Sequence, residues 1–112
     1  MDYQKINEEI QSFVAERDWD QFHSPKNLSM ALSVEASELV EIFQWLKEKD
    51  IEINKSKIHQ AVKEEVVDIF YYVVRMCQKM DINLEEAFYE KMKKNKEKYP
   101  LEKFKGKSSF WT

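Results

Sequence analysis

Apolar residues recur every three or four positions along most of this chain, which is the spacing of one face of an α-helix. In the first such run the repeating positions are Tyr3, Ile6, Ile10, Phe13 and Val14. Pro100 ends the last run, because proline cannot continue a helix. The pattern predicts four amphipathic helices, over residues 2–17, 24–49, 56–80 and 84–99.

Residues with capping side chains stand at three of the predicted helix starts. Ser24 followed by Pro25 suits an N-cap and the first helical position. Ser56 can cap the third helix, and Asn83 followed by Glu86 resembles a capping box. Residues 17–26 have no helical period and predict an ordered connector, and residues 50–55 break the pattern between the second and third helices.

The composition supports an all-α fold. The chain has one glycine and two prolines, whereas a sheet protein of this size needs many turns built from those residues. Its 112 residues are enough for one domain, predicted over residues 1–100 and followed by a basic and aromatic tail at 101–112. A chain this short buries only about two thirds of its surface, so we expect its apolar helix faces to pack in a homo-oligomer.

Charge and cysteine content exclude several classes of partner. The formal charge of −3 gives no reason to expect binding to a nucleic-acid polymer. The eight lysines of residues 91–107 favour a solvated helix end or contact with a phosphate-rich ligand. A single cysteine, Cys77, excludes an intrachain disulfide, and its apolar neighbours predict a buried packing role. Without a signal-like start or ~20 consecutive apolar residues, we expect a cytoplasmic protein with no membrane partner.

Acidic residues at helical spacing lie beside the apolar faces of two predicted helices. Glu35 and Glu38 are three positions apart on the second helix, and Glu65 and Asp68 on the third. If the two helices pack together, four carboxylates meet, and a hard cation such as Mg²⁺ would relieve their repulsion. The alternative is that they are solvated or paired with lysines.

Other site chemistries fit the sequence less well. One glycine cannot build a phosphate-binding or dinucleotide-binding loop, and no cysteines and histidines have zinc-site spacing. A di-iron bundle requires Glu-x-x-His pairs, which are absent. Two arginines, Arg17 and Arg75, are too few for a helical site that grips dicarboxylates.

Three segments resemble the MazG-like nucleotide pyrophosphohydrolases, most strongly the compact single-domain branch that includes the dCTP pyrophosphatases. They are RDWDQFHSPKNLSMALSVEASELVEIFQW at 17–45, EEVVDIFYY at 64–72 and KMKKNKEKYP at 91–100. The resemblance implies a four-helix bundle completed by dimerisation, as a homodimer or a tetramer of paired dimers. It also implies Mg²⁺-dependent hydrolysis of (deoxy)nucleoside triphosphates to the monophosphate and pyrophosphate, in nucleotide-pool housecleaning, with Mn²⁺ able to substitute.

The resemblance also assigns roles to individual residues. It makes Glu35, Glu38, Glu65 and Asp68 the metal ligands, and we expect Glu38, or otherwise Glu35, to position and deprotonate the attacking water. Further residues match family positions that contact the nucleotide, and we expect them to bind the substrate: Trp19, His23, Asn27, Trp45, Tyr72, Lys91, Asn95, Lys98 and Tyr99.

One position departs from the family pattern. A histidine expected on the first helix of cytosine-preferring relatives is Ile10 here, so a preference for cytosine does not follow. The substrate could instead be dUTP or phosphoribosyl-ATP on the same fold. A helical interaction module without catalysis is the remaining alternative.

Overall fold

Helices make up nearly all of the chain in a computed structural model that describes residues 1–107. No strand occurs among those residues, so the all-α prediction is confirmed. The α-helices are α1 (Tyr3–Glu16), α2 (Pro25–Phe43), α3 (Glu48–Ile53), α4 (Lys55–Met80), α5 (Leu84–Lys98) and α6 (Leu101–Phe104), with a 3₁₀ turn at Asp20–Phe22.

Short polar side chains begin the helices where the sequence predicts them. The Ser24 side chain accepts a hydrogen bond from the Asn27 backbone N–H, with Pro25 in the first turn of α2. Asn83 accepts in the same way from the Glu86 N–H at the start of α5. These bonds satisfy N–H groups that have no partner within the helix. Both predicted caps are confirmed.

The chain between the second and third predicted helices folds differently from the prediction. The helix α2 ends at Phe43 and not near Lys49, and residues 50–55 are not a break, since α3 covers most of them. The Asp50 side chain accepts from the Lys47 backbone N–H at 3.0 Å, which favours a new helix start there. Asn54 both ends α3 and precedes α4, so Ser56 lies inside α4 and is not its cap.

The connector between α1 and α2 is ordered, as predicted. Asp18 has a φ of 53°, a left-handed conformation that turns the chain after α1. The Gln21 side-chain amide donates to the Asp18 carbonyl at 3.0 Å and to its carboxylate at 3.1 Å. The backbone then forms the 3₁₀ turn that leads into α2.

The chain consists of two compact units, with the boundary after Asp81. In the first, α2 and α1 both pack against α4. Its core consists of side chains at most 9% exposed, and Cys77 is among them, as predicted: Ile10, Val14, Leu28, Val74 and Cys77. This core is small, and large apolar side chains of α2 and α4 stay exposed, among them Met30, Val34, Val40, Val66 and Val67.

The second unit begins at Ile82 and contains α5 and α6. Tyr99 and Phe104 pack edge to face with ring centroids 5.2 Å apart, so the chain past Pro100 forms a short helix against the end of α5. A domain limit at residue 100 stays a prediction. The tail residues Phe110 and Trp111 lie outside the described part of the chain. Within residues 1–107, no helix combines the length and apolarity needed to span a membrane.

Leu28→Ala should destabilise the first unit strongly, because Leu28 is only 1% exposed. Truncating a fully buried leucine costs about 2–5 kcal/mol. The matched control is Leu101→Ala, since Leu101 is 73% exposed, and should cost less than ~0.5 kcal/mol. Urea unfolding followed by circular dichroism measures both, and equal losses would contradict the described core.

Candidate active site

The packing of α2 on α4 brings acidic side chains of the two helices together. One carboxylate oxygen from each of Glu35, Glu38 and Glu65 lies within 4.8 Å of the others. Asp68 is one turn after Glu65 on α4, and its charge raises the pKa of both Glu35 and Glu65. We call these four residues the carboxylate cluster. The three glutamates converge as the spacing on the two helices predicts, whereas Asp68 is exposed and lies outside that group, so its part in the site stays a prediction.

Two oxygens of the carboxylate cluster lack hydrogen-bond donors. Glu35 Oε2 and Glu65 Oε2 are buried and have no partner among the described residues. A buried carboxylate without a donor or cation is costly, because it has lost its hydration without compensation. The buried carboxylate oxygens of the cluster therefore lack a donor or cation that would offset their negative charge.

The same deficit perturbs the acid–base behaviour of the cluster. Burial, followed by the close approach of the Glu38 and Glu65 carboxyl groups and the charges of Glu38 and Asp68, raises the pKa of Glu35 to about 7. Burial is also the main cause that raises the pKa of Glu65. A cation that bound between these carboxylates would therefore compete with protons.

The donor set fits a hard divalent cation. All the converging atoms are carboxylate oxygens, which Mg²⁺ and Mn²⁺ prefer, whereas zinc sites usually contain cysteine or histidine. Cys77 is buried in the core and His23 bonds Arg75. Glu35, Glu38, Glu65 and Asp68 are therefore residues that could hold magnesium.

An open cavity of about 360 Å³ adjoins the cluster. Four carboxylates line it together with two small or apolar side chains: Glu38, Glu41, Glu64, Glu65, Ile42 and Ala61. Such a wall repels a polyphosphate unless cations intervene. An anionic ligand in this cavity would therefore need cations between it and the carboxylates.

An aromatic row connects the cluster to the connector. Tyr72 is one helical turn after Asp68 on α4, and burial and then the charges of Glu35, Asp68 and Glu38 raise its pKa. Successive rings then meet edge to face, with centroids 4.9 Å apart for Tyr72–Tyr71, 6.0 Å for Tyr71–Phe13 and 5.5 Å for Phe13–Trp19. Trp19 is 40% exposed at the far end.

The other candidates in the first unit lie on the connector, in the first turn of α2 and after α2. The Asn27 side chain donates to the Phe22 carbonyl at 3.0 Å, and His23 Nδ1 accepts from Arg75 Nε at 3.0 Å. Both residues thus organise the connector. Trp45 follows the end of α2 and is 86% exposed, so its ring is free to contact a ligand.

The remaining candidates belong to the second unit. Lys91 and Asn95 are one helical turn apart on α5, and Asn95 lies near the Met92 sulfur at 4.0 Å. The Lys98 ammonium lies over the Tyr99 ring at 5.4 Å. Their contact with substrate stays a prediction.

Known proteins share both the sequence and the fold. The model of the MazG-like family matches residues 30–112. The chain belongs to the MazG-like family. A pyrophosphatase of Archaeoglobus fulgidus DSM 4304 has a similar structure, with a TM-score of 0.81 and 36% identity over 89% of this chain and 94% of that one.

Mammalian relatives of this MazG-like protein are named for a nucleotide. Proteins called dCTP pyrophosphatase 1 are 36% identical in Rattus norvegicus and 35% in Homo sapiens, over 102 residues. The match covers 89% of this chain and 60% of each relative. The chain therefore spans less than two thirds of the relatives' length.

Sequence reasoning missed one polar network of this MazG-like chain. It is centred on Arg75, which the sequence analysis considered only as one of two arginines, and includes Asp20, Gln78 and Asn7. The sequence feature that could have indicated this network is a charged residue between Val74 and Met76, within an apolar stretch of α4. A buried arginine there requires acceptors from other elements.

Glu35→Gln should stabilise the cation-free protein at pH 8 but much less at pH 5. The folded-state pKa of Glu35 is raised to about 7, so its stabilising proton is present at low pH and is lost as the pH rises through 7. Glutamine mimics the protonated form at every pH. In EDTA we expect a melting temperature at least ~4 °C higher at pH 8, about 1 kcal/mol in a domain of this size.

Thermal melts at the two pH values measure the effect, with Glu9→Gln as control because Glu9 is exposed on α1. An equal rise in melting temperature at both pH values, or no rise at pH 8, would show that the charge of Glu35 does not destabilise the folded protein.

Proposed function

We propose that the protein hydrolyses nucleoside triphosphates to the monophosphate and pyrophosphate. The observation that carries this proposal is the convergence of Glu35, Glu38 and Glu65 within 4.8 Å, with two buried oxygens that lack donors. The names of the relatives, dCTP pyrophosphatase 1 and a pyrophosphatase, support the reaction class.

The carboxylate cluster would hold the cation. Glu35 and Glu38 would bind from α2, and Glu65 and Asp68 from α4. Magnesium, or manganese in its place, supplies positive charge to the phosphate oxygens and the departing pyrophosphate. The acidic wall of the adjoining cavity supports a substrate that enters as a metal complex.

Glu38 is our candidate for the general base, with Glu35 second. A water oxygen attacks the α-phosphorus, the bond from that phosphorus to the bridging oxygen breaks, and pyrophosphate leaves. The proton of the water passes to the carboxylate. Because Glu38 also lines the open cavity, it is accessible to water at the edge of the cluster.

The nucleoside end would contact the aromatic row and the connector. Trp19 and Trp45 would stack on the base, which gives affinity without strong base identity. Tyr72, His23 and Asn27 would offer hydrogen bonds. The family resemblance assigns contacts with phosphate and sugar to Lys91, Asn95 and Lys98 of α5 and to Tyr99, which follows it. Ile10 is buried in the core and offers the base no hydrogen bond, so dUTP and phosphoribosyl-ATP belong in the substrate panel.

Magnesium should be required for turnover. We expect pyrophosphate release from at least one compound in a panel of (d)NTPs and phosphoribosyl-ATP with Mg²⁺, and none with EDTA. Glu38→Gln should lower kcat by ~100-fold or more, the usual range for a general base, whereas Glu9→Gln should not change it. A panel without any release, and without a magnesium-induced rise in melting temperature, would favour the interaction module.

We also propose that the chain forms a homo-oligomer through α2 and α4. Large apolar side chains of both helices are exposed, including Met30, Val34 and Val67. The first unit has a small core, and Met30 and Val34 are one helical turn apart on α2, so they share an exposed apolar face of the kind that marks interaction surfaces. A second copy of the chain would remove them from water.

Val34→Glu should dissociate the oligomer. Val34 is exposed within one chain, so a glutamate there is tolerated by a monomer but is costly in an apolar interface. Light scattering after size exclusion should give a dimer or tetramer for the wild type and a smaller mass for the variant. Gln11→Glu adds the same charge on the exposed side of α1 and should change nothing. A monomeric wild type would overturn the proposal.

A further inference from the structure

Arg75 is the only charged side chain in the described part of the chain that is buried, at 4% exposure. All three guanidinium nitrogens donate hydrogen bonds. Nε donates to His23 Nδ1 at 3.0 Å, Nη2 to Asp20 Oδ1 at 2.9 Å and Nη1 to Gln78 Oε1 at 2.6 Å. Two of these partners belong to the connector, so a residue of α4 holds the connector at two points.

The network extends to α1 as well. The Gln78 amide donates to the Asn7 carbonyl at 3.0 Å and to its side-chain oxygen at 2.6 Å. Lys79 donates to the same Asp20 oxygen as Arg75, at 3.1 Å. Arg75 and its neighbours on α4 therefore join α1, the connector and α4 into one framework.

The bond to His23 determines which nitrogen carries the imidazole proton. A guanidinium has only donors, so Nδ1 must offer its lone pair and the proton must lie on Nε2. Burial, and then the positive charge of Arg75, lower the pKa of His23, with Lys79 adding to the effect and Asp20 opposing it. Arg75 thus keeps His23 neutral, as a ring with one N–H available at Nε2.

The same face of α4 carries the carboxylate cluster. Asp68, Tyr72, Arg75 and Lys79 follow one another at intervals of four, three and four residues, which places them along one side of the helix. The connector with Trp19 is consequently fixed to the helix that supplies Glu65 and Asp68. The distance between the connector and the carboxylates is then set by a rigid helix.

We propose that Arg75 is a positioning residue for the nucleoside end of the substrate, which it serves by fixing the connector and presenting His23 as a neutral Nε2–H donor. This inference rests on the proposed function. It predicts that the loss of Arg75 weakens binding of the nucleoside part and leaves binding of the phosphate chain and the chemical step unchanged.

Arg75→Met is the informative variant, because it keeps a long side chain within the helix and removes the buried charge. Replacing a buried ion pair by an apolar residue of similar volume is often neutral for stability. The Asp20 side chain is 65% exposed and can return to water. Arg75→Lys keeps the positive charge, but a lysine ammonium lacks the planar guanidinium that bonds three acceptors at once. The lysine variant should therefore show the same kinetic change as the methionine variant.

The kinetic test compares the best nucleotide substrate of the panel with inorganic triphosphate, which has the phosphate chain and no nucleoside. In both variants we expect the KM for that nucleotide to rise ~10-fold, while kcat and the inhibition constant of inorganic triphosphate stay within ~2-fold. Parallel losses for both ligands, or no change for either, would overturn the role of Arg75. A wild-type chain that hydrolyses no nucleotide would overturn the proposed function, and this role with it.

Nuclear magnetic resonance tests the network without turnover. Long-range ¹H–¹⁵N spectra of the metal-free full chain should show His23 with its proton on Nε2. In Arg75→Met the midpoint of its titration should rise and both tautomers should be populated. The signals of His59, which is exposed on α4, should not change and report an intact fold. A wild-type His23 with its proton on Nδ1 would overturn the inference.

Discussion

Repulsion between carboxylates at the contact of α2 with α4 is the constraint on which the candidate site depends. The helices pack through apolar side chains, and that packing forces Glu35, Glu38 and Glu65 within 4.8 Å of one another. Hydrophobic burial therefore opposes an electrostatic cost that the protein alone relieves only by keeping a proton. A divalent cation held as we propose would relieve the same repulsion with positive charge.

The helix α4 joins the two ends of the proposed site. Its 26 residues include Glu65 and Asp68 in one part and Arg75 further along, about 10 to 15 Å away at 1.5 Å per residue. A nucleoside triphosphate needs contacts for its phosphates and its base at a comparable separation. The rings of Tyr72, Tyr71, Phe13 and Trp19 meet edge to face in succession, so packed aromatic contacts run from α4 to the connector.

Periodicity and capping residues were sufficient to predict most of the helices, because both depend on a few neighbouring residues. The apolar positions of α4 and the caps Ser24 and Asn83 are examples. The short helix α3 was missed because six residues are too few to show a period, and its start depends on Asp50. The convergence of the carboxylates was predictable once two helices with acidic edges were assumed to pack. The bond between His23 and Arg75 was not, since 52 residues separate them and no local pattern records such a pairing.

The small core explains why a chain with so simple a fold needs more than its own packing. Only five apolar side chains of the first unit are buried to within 9% exposure, while the helix faces around them stay apolar. The buried interior of α4 is also partly polar, since Arg75 and its partners occupy it, and polar networks specify geometry more than they add stability. If association with a second copy stabilised the fold, α4 could include charged residues at positions where a monomeric helical bundle requires apolar ones. In that sense the exposed apolar faces of α2 and α4 and the buried Arg75 of α4 are two consequences of one arrangement.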